Sequence, residues 1–223
     1  MTRLLYITGF LGLLASIGVG IGEFMIHFNP EGLASGKPYG YFLGIADSRL
    51  AFGHFIMVPF IPLYIVGYYH LYLALKPGSK KLATALLILG VYAFVIGGIW
   101  VGSRAYFGHV IQLTQGDQYV GLHEELINNY ELLVESLVQL LRVIVLLISV
   151  VFVWTILKGG TLYPKWMVCF APIFVLLLVF ALFFFVRPIG QYLAPTAMNV
   201  SHAVLFGSSL FALSRSTSRL TNS

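Results

Sequence analysis

The stretch ELLVESLVQLLRVIVLLISVVFVWTILK, residues 131–158, decides how this chain is built. Between Arg142 and Lys158 it carries no charge. The stretch as a whole, 28 residues, is long enough to cross a hydrocarbon core of about 30 Å, which needs about 20 residues. Its upstream half is different. Glu124, Asn128, Glu131, Glu135, Gln139 and Arg142 follow one another at spacings of four, three, four, four and three. On an α-helix these spacings place all six on one stripe. From Glu131 to Arg142 the stripe descends about 16 Å at 1.5 Å per residue. Leu132, Leu133, Leu137, Val138, Leu140 and Leu141 occupy the other faces. Exposing charge to lipid at mid-depth costs about 2.5–3.5 kcal/mol per residue on insertion scales. The stripe is therefore expected to face a bundle interior or a water-filled cavity.

Working outward, the whole chain of 223 residues has this texture: 59% is hydrophobic and only 9% charged. A soluble domain carries about 25% charged residues. The pattern predicts an all-α, polytopic membrane helix bundle with six transmembrane helices, near residues 4–28, 50–75, 82–107, 131–157, 166–186 and 196–213. Residues 1–213 form a single transmembrane domain, with the outer loop 29–48 as a candidate lid and 214–223 as a Ser/Thr-rich, disordered cytoplasmic tail. The net charge of +5 comes from few residues and marks membrane orientation rather than nucleic-acid binding. Eight Lys/Arg (Arg3, Lys76, Lys80, Lys81, Lys158, Lys165, Arg215 and Arg219) fall on one side of this topology. Four (Lys37, Arg49, Arg104 and Arg187) fall on the other. The positive-inside rule then puts both termini in the cytoplasm, N-in/C-in, most simply in a bacterial inner (plasma) membrane. The single cysteine, Cys169, excludes an intramolecular disulfide.

Acids count little in that rule, so their distribution is separate information. All eight, Glu23, Glu31, Asp47, Asp117, Glu124, Glu125, Glu131 and Glu135, lie on the outer side or in the outer part of the membrane. Five of the six histidines, His27, His54, His109, His123 and His202, share that half. His70 is the exception and reads as an anchor at the inner interface beside Tyr68, Tyr69 and Tyr72. A polar site facing outside is the consequence. Intramembrane ionisable groups are functional candidates with partners to be named. The expected pairs are Arg142 with Glu135 or Glu23, and Arg104 with Asp47 or Glu131.

Three readings of such a site stand side by side. An enzyme acting on a lipid or isoprenoid substrate would use Glu131 or Glu135 as base or ligand, with His54 and His202 as acid, base or ligand. A ligand-binding, receptor or transport protein would hold a small anionic solute on Arg142, Gln139, Asn199 and Arg104. A non-catalytic subunit would use the buried charges to fix packing against other membrane chains. For a metal, Glu23 and His27 make one ExxxH pair, which alone reads more simply as a hydrogen-bonded structural pair. The cofactor is left open. Pro59 and Pro62 are expected to kink the second span below His54. Gly18, Gly20 and Gly22, with Gly98 and Gly102, are expected to permit close helix approach.

The segments GEFMIHF (22–28), GIADSRL (44–50) with GHF (53–55), and GGIWVGSR (97–104) resemble those of an uncharacterised bacterial family of small six-helix integral membrane proteins. That resemblance covers most of the chain and implies a shared fold without an activity. Membrane ceramidases and adiponectin-receptor-like hydrolases carry an HxxxH pair in the last helix, where this chain has only His202. No Walker, Rossmann or GxSxG motif occurs.

Overall fold

The computed structural model describes residues 2–221 and is helical throughout its ordered elements, with no strand among the described residues. Six helical columns make the bundle. The first is α1 (Thr2–His27). A short α2 (Pro30–Ala34) leads from it to the second column, α3 (Asp47–Phe60) followed by α4 (Leu63–Leu75). The third is α5 (Lys80–Leu113). The fourth is α6 (Val120–Tyr130), a π-helical turn (Glu131–Glu135) and α7 (Ser136–Lys158). A 3-10 segment (Lys165–Phe170) and α8 (Pro172–Phe185) form the fifth. After α9 (Arg187–Leu193) the last column is α10 (Ala197–Thr221). Each column packs on the next: α1 on α3 and α4, α4 on α5, α5 on α7, α7 on α8, α8 on α10, and α10 back on α1. The ring closes. The end holding residues 28–46 and 114–119 is called the upper end below.

Five helical stretches are long and apolar enough to cross a membrane: Arg3–His27, Asp47–Leu75, Lys80–Leu113, Asp117–Lys158 and Arg187–Arg215. The stretch expected at 166–186 differs, because its α-helical part, α8, has only 14 residues. Pro172 is the reason. The residue before a proline is pushed out of the α region, and Ala171 is extended at ψ 139°, so the lower third of the column is a 3-10 segment instead. At the other end Pro188 would clash with the carbonyl four residues back. The chain breaks at Val186, and α9 folds back against α8. The second column breaks at Ile61 and Pro62, as the two prolines predict. The tail differs from expectation, since α10 stays helical to Thr221; residues 222–223 lie outside the described residues.

Two glycine pairs set how closely α1 lies against the second column. Gly12 faces Gly67 backbone to backbone, and a Cβ on Gly53 would meet the Gly22 carbonyl oxygen at 2.8 Å. Gly98 and Gly102 do not act this way. The nearest atom to a Cβ at Gly98 is a methyl of Ile61 at 3.5 Å, and nothing lies within 4 Å of one at Gly102. His70 also departs from its expected role. It is fully buried, donates from Nδ1 to the Leu5 carbonyl (2.9 Å) and accepts at Nε2 from Ser209 Oγ (2.6 Å). Ser209 in turn accepts from the Tyr163 hydroxyl (2.6 Å), so His70 ties α1, α4 and α10 to the 159–164 loop.

Gly53→Ala should therefore destabilise the bundle by about 1–3 kcal/mol through overpacking. Gly102→Ala, which meets open space, should be neutral or slightly stabilising. Thermal melting of the purified protein in a mild detergent compares the two, and equal melting temperatures would contradict this account of α1–α3 packing.

Candidate functional site

Near the upper end of α5, Arg104 is buried to 2% exposure. A guanidinium in that state must have its donors satisfied. Its Nε donates to His27 Nε2 (2.9 Å) and one terminal nitrogen to the Tyr130 hydroxyl (3.2 Å) and a Glu135 oxygen. The other terminal nitrogen donates to the Tyr41 hydroxyl. The rings of Tyr39, Tyr41, Phe42, Trp100 and Tyr130 surround it with centroids 4.9–5.8 Å from the guanidinium carbon. Such cation–π contacts gain when desolvated. Burial pushes the Tyr41 hydroxyl up to about 12, against the opposing pull of Arg104, so Tyr41 meets the cation as a neutral phenol.

The π turn makes this cluster possible. In a regular α-helix Tyr130 and Glu135 would point about 140° apart at 3.6 residues per turn. A π turn bonds i to i+5 and brings the two side chains one above the other, so both reach the same nitrogen of Arg104. The same inserted residue rotates the helix above it out of register. Glu124 and Asn128, expected on the stripe, do not line the cavity, whereas Glu131, Glu135, Gln139 and Arg142 all do.

That cavity has a volume of about 700 Å3, within the range of about 300–1,000 Å3 typical of small-molecule sites. Arg104, His27, Tyr39 and Tyr41 line it, and Phe28, Leu33, Val138 and Phe183 add apolar surface. Arg187, Gln191 and Pro195 complete it from α9 and the turn that follows. The segment over it is held in place. Asn29 Nδ2 donates to the Leu43 carbonyl (2.6 Å), Arg49 to the Phe28 carbonyl (2.6 Å), and Gln112 Nε2 to the Ile45 carbonyl (2.9 Å). Tyr39, held at a positive φ of 54°, donates its hydroxyl to Glu131 (3.3 Å).

The expected pairings are rearranged. Glu135 pairs with Arg104 rather than Arg142, because the π turn aims it at α5. Asp47 pairs with His109 (2.9 Å) and Glu131 with Tyr39, leaving neither for Arg104. Arg142 donates to Gln139 (3.1 Å) and has no carboxylate partner among the described residues, nor has Arg187. Both are exposed within the cavity and do not face the cost of a buried cation.

The residues grouped as catalytic do not converge. Glu131 and Glu135 line the large cavity, while His202 lines a separate one of about 90 Å3 with Glu23, Tyr64, Tyr68 and Asn199. There His202 accepts from the Tyr68 hydroxyl (2.7 Å) and donates to the Met198 carbonyl (2.8 Å). Asn199 accepts from Tyr64 (2.6 Å) and donates to Glu23 (2.5 Å), so it too stands apart from Arg142 and Gln139. His54 lines neither cavity. Glu23 Oε1 and His27 Nδ1 lie 4.0 Å apart, but Arg104 donates to His27 Nε2, which leaves the imidazole proton on Nδ1, so the nitrogen facing Glu23 offers no lone pair to a metal. No cluster of three metal-ligating side chains occurs among the described residues. Tyr130, Trp100 and Gln191 were not singled out by sequence. Tyr130 falls off the α-helical stripe, and only the π turn recruits it.

Fold and site together define a class: an all-helical chain with membrane-length apolar helices ringed around a polar cavity at one end. The chain belongs to a family of unknown function (DUF6796), whose model matches residues 2–216. No curated protein and no solved structure matches it.

Glu135→Leu should cost about 3–5 kcal/mol by leaving the buried Arg104 guanidinium without its carboxylate, and Arg104→Leu should also destabilise. The double variant should recover part of the loss, because the two are coupled. Lys158→Leu should change nothing. Melting temperatures of the four variants test this, and strictly additive losses would show that the pair is not an energetic unit.

Proposed function

We propose that this protein is a six-span membrane protein, with both termini in the cytoplasm, whose outward-opening cavity binds an anionic ligand. One observation carries the reading: Arg142 and Arg187 line the same cavity without a carboxylate partner, while Arg104 and Glu135 neutralise each other. Three guanidiniums against two carboxylates leave the cavity a formal charge of +1. Arginine presents a planar fork of donors suited to phosphate and carboxylate, and the Gln139 and Gln191 amides add neutral donors. The Lys/Arg bias supports the orientation and a bacterial inner membrane, with the cavity facing the periplasm. An enzyme built on Glu131, Glu135, His54 and His202 has less support, since these residues are spread over separate places.

Arg142→Ala and Arg187→Ala should each weaken binding of an anionic probe about 10- to 150-fold, from about 1.5–3 kcal/mol per charged hydrogen bond. Titration calorimetry in neutral detergent with glycerol phosphate and the anionic detergent dodecyl phosphate, against uncharged glycerol and dodecyl maltoside, measures this. If no anion binds in an arginine-dependent way, the reading is wrong. For the orientation, a Cys169→Ala background carrying Gly121→Cys should react with an impermeant maleimide on intact cells. The same background with Lys81→Cys should react only after lysis, and the reverse pattern would invert the topology.

A further inference from the structure

The shape of the ring around Arg142 says which anions can reach it. Columns α7 and α8 are joined where Ile173 N donates to Ser149 Oγ (3.1 Å). Above that contact residues of both columns line the cavity, and no extended packing joins α7 to α9. Val138, Gln139 and Arg142 line one side of the cavity and Phe183 and Arg187 the other. The residues flanking this gap are apolar and exposed: Leu140 and Val143 on α7, and Phe184, Phe185 and Ile189 on α8 and α9. They present a lipid-compatible surface.

Depth gives a second, independent argument. Arg142 lies about 24 Å above Lys158, at 1.5 Å per residue, in a hydrocarbon core of about 30 Å. Its Cα is thus a few ångströms below the outer hydrocarbon edge, within the reach of a long side chain seeking the interface. Arg187 follows a 3-10 segment of six residues and an α-helix of 14. That places it about 33 Å above Lys165, at about 2.0 and 1.5 Å per residue. The two cations bracket the level at which lipid headgroups meet the acyl chains. A cavity of about 700 Å3 has room for a headgroup, with the chains left in the bilayer through the gap.

We infer that the ligand is a phosphate-bearing lipid of the outer leaflet, entering sideways between α7 and α8–α9, with its phosphate on Arg142 and Arg187. This rests on the anion-binding reading above and adds the ligand's class and route. Phosphate fits better than a single carboxylate because two separate guanidiniums can each engage its oxygens.

The test uses the full chain in nanodiscs of phosphatidylcholine doped with phosphatidic acid, read by native mass spectrometry of the released protein, with calorimetric titration of soluble glycerol phosphate in parallel. One phosphatidic acid per chain should be retained. Retention should fall at least 10-fold in Arg142→Ala/Arg187→Ala, and Val138→Trp, which narrows the gap, should reduce lipid retention more than glycerol phosphate affinity. Neither arginine is in an ion pair, so the variants should fold; Arg142→Gln is the milder replacement if melting shows otherwise. Arginine-dependent binding of glycerol phosphate without lipid retention would overturn the lipid and keep the anion site. Lipid retained equally by the arginine variants would overturn the proposal as annular binding, and binding of neither probe would overturn both readings.

Discussion

A buried guanidinium cannot be left with idle donors, and Arg104 satisfies this constraint by recruiting partners from separate parts of the chain. His27 comes from the last turn of α1, Tyr41 from the segment linking the first two columns, and Tyr130 and Glu135 from either end of the π turn. Each bond fixes one wall of the cavity relative to α5. Losing the cation would leave the Glu135 carboxylate without its ion-pair partner and free the loop that Tyr41 pins, since a buried charge is tolerable only in company. The aromatic cage has the same logic: Phe107 stacks on Tyr130 at 3.5 Å, orienting the hydroxyl that meets Arg104. The upper end of the bundle is thus organised around one side chain.

Much of this was legible in the sequence, for definite reasons. The helical columns follow from apolar length, and the cavity-lining set Glu131, Glu135, Gln139 and Arg142 follows from the cost of exposing charge to lipid. The partners were not legible. Spacing arithmetic assumes an unbroken α-helix, and one π turn moves Glu124 and Asn128 off the stripe while bringing Tyr130 onto it. Nothing in the residues 131–135 themselves announces that turn. The sequence likewise grouped Asn199 with Arg142 and His202 with Glu131 and Glu135, yet membership of the same half of the membrane says nothing about azimuth, and the ring directs Asn199 and His202 to a different cavity. The small-residue motif at Gly98 and Gly102 misled because the closest backbone approach is set where two glycines face each other, as at Gly22 and Gly53.

The contrast between Arg104 and Arg142 shows how the bundle divides its cations. The sequence suggested a carboxylate partner for each, with Arg142 the deeper of the two along its helix. Depth along the helix axis and burial from water are different quantities, however. Arg104 lies nearer the end of its column but is sealed by the 29–46 segment, whereas Arg142 opens onto a cavity large enough for water. A hydrated guanidinium needs no carboxylate, and a cavity that keeps two of them unneutralised favours anions over cations. Sealing one charge dry is what leaves the others available: with Glu135 committed to Arg104 and Glu131 held by Tyr39, neither acid is set against Arg142 or Arg187. The π turn therefore shapes the site twice, by completing the cage around Arg104 and by committing Glu135 to it rather than to the other two cations of the cavity.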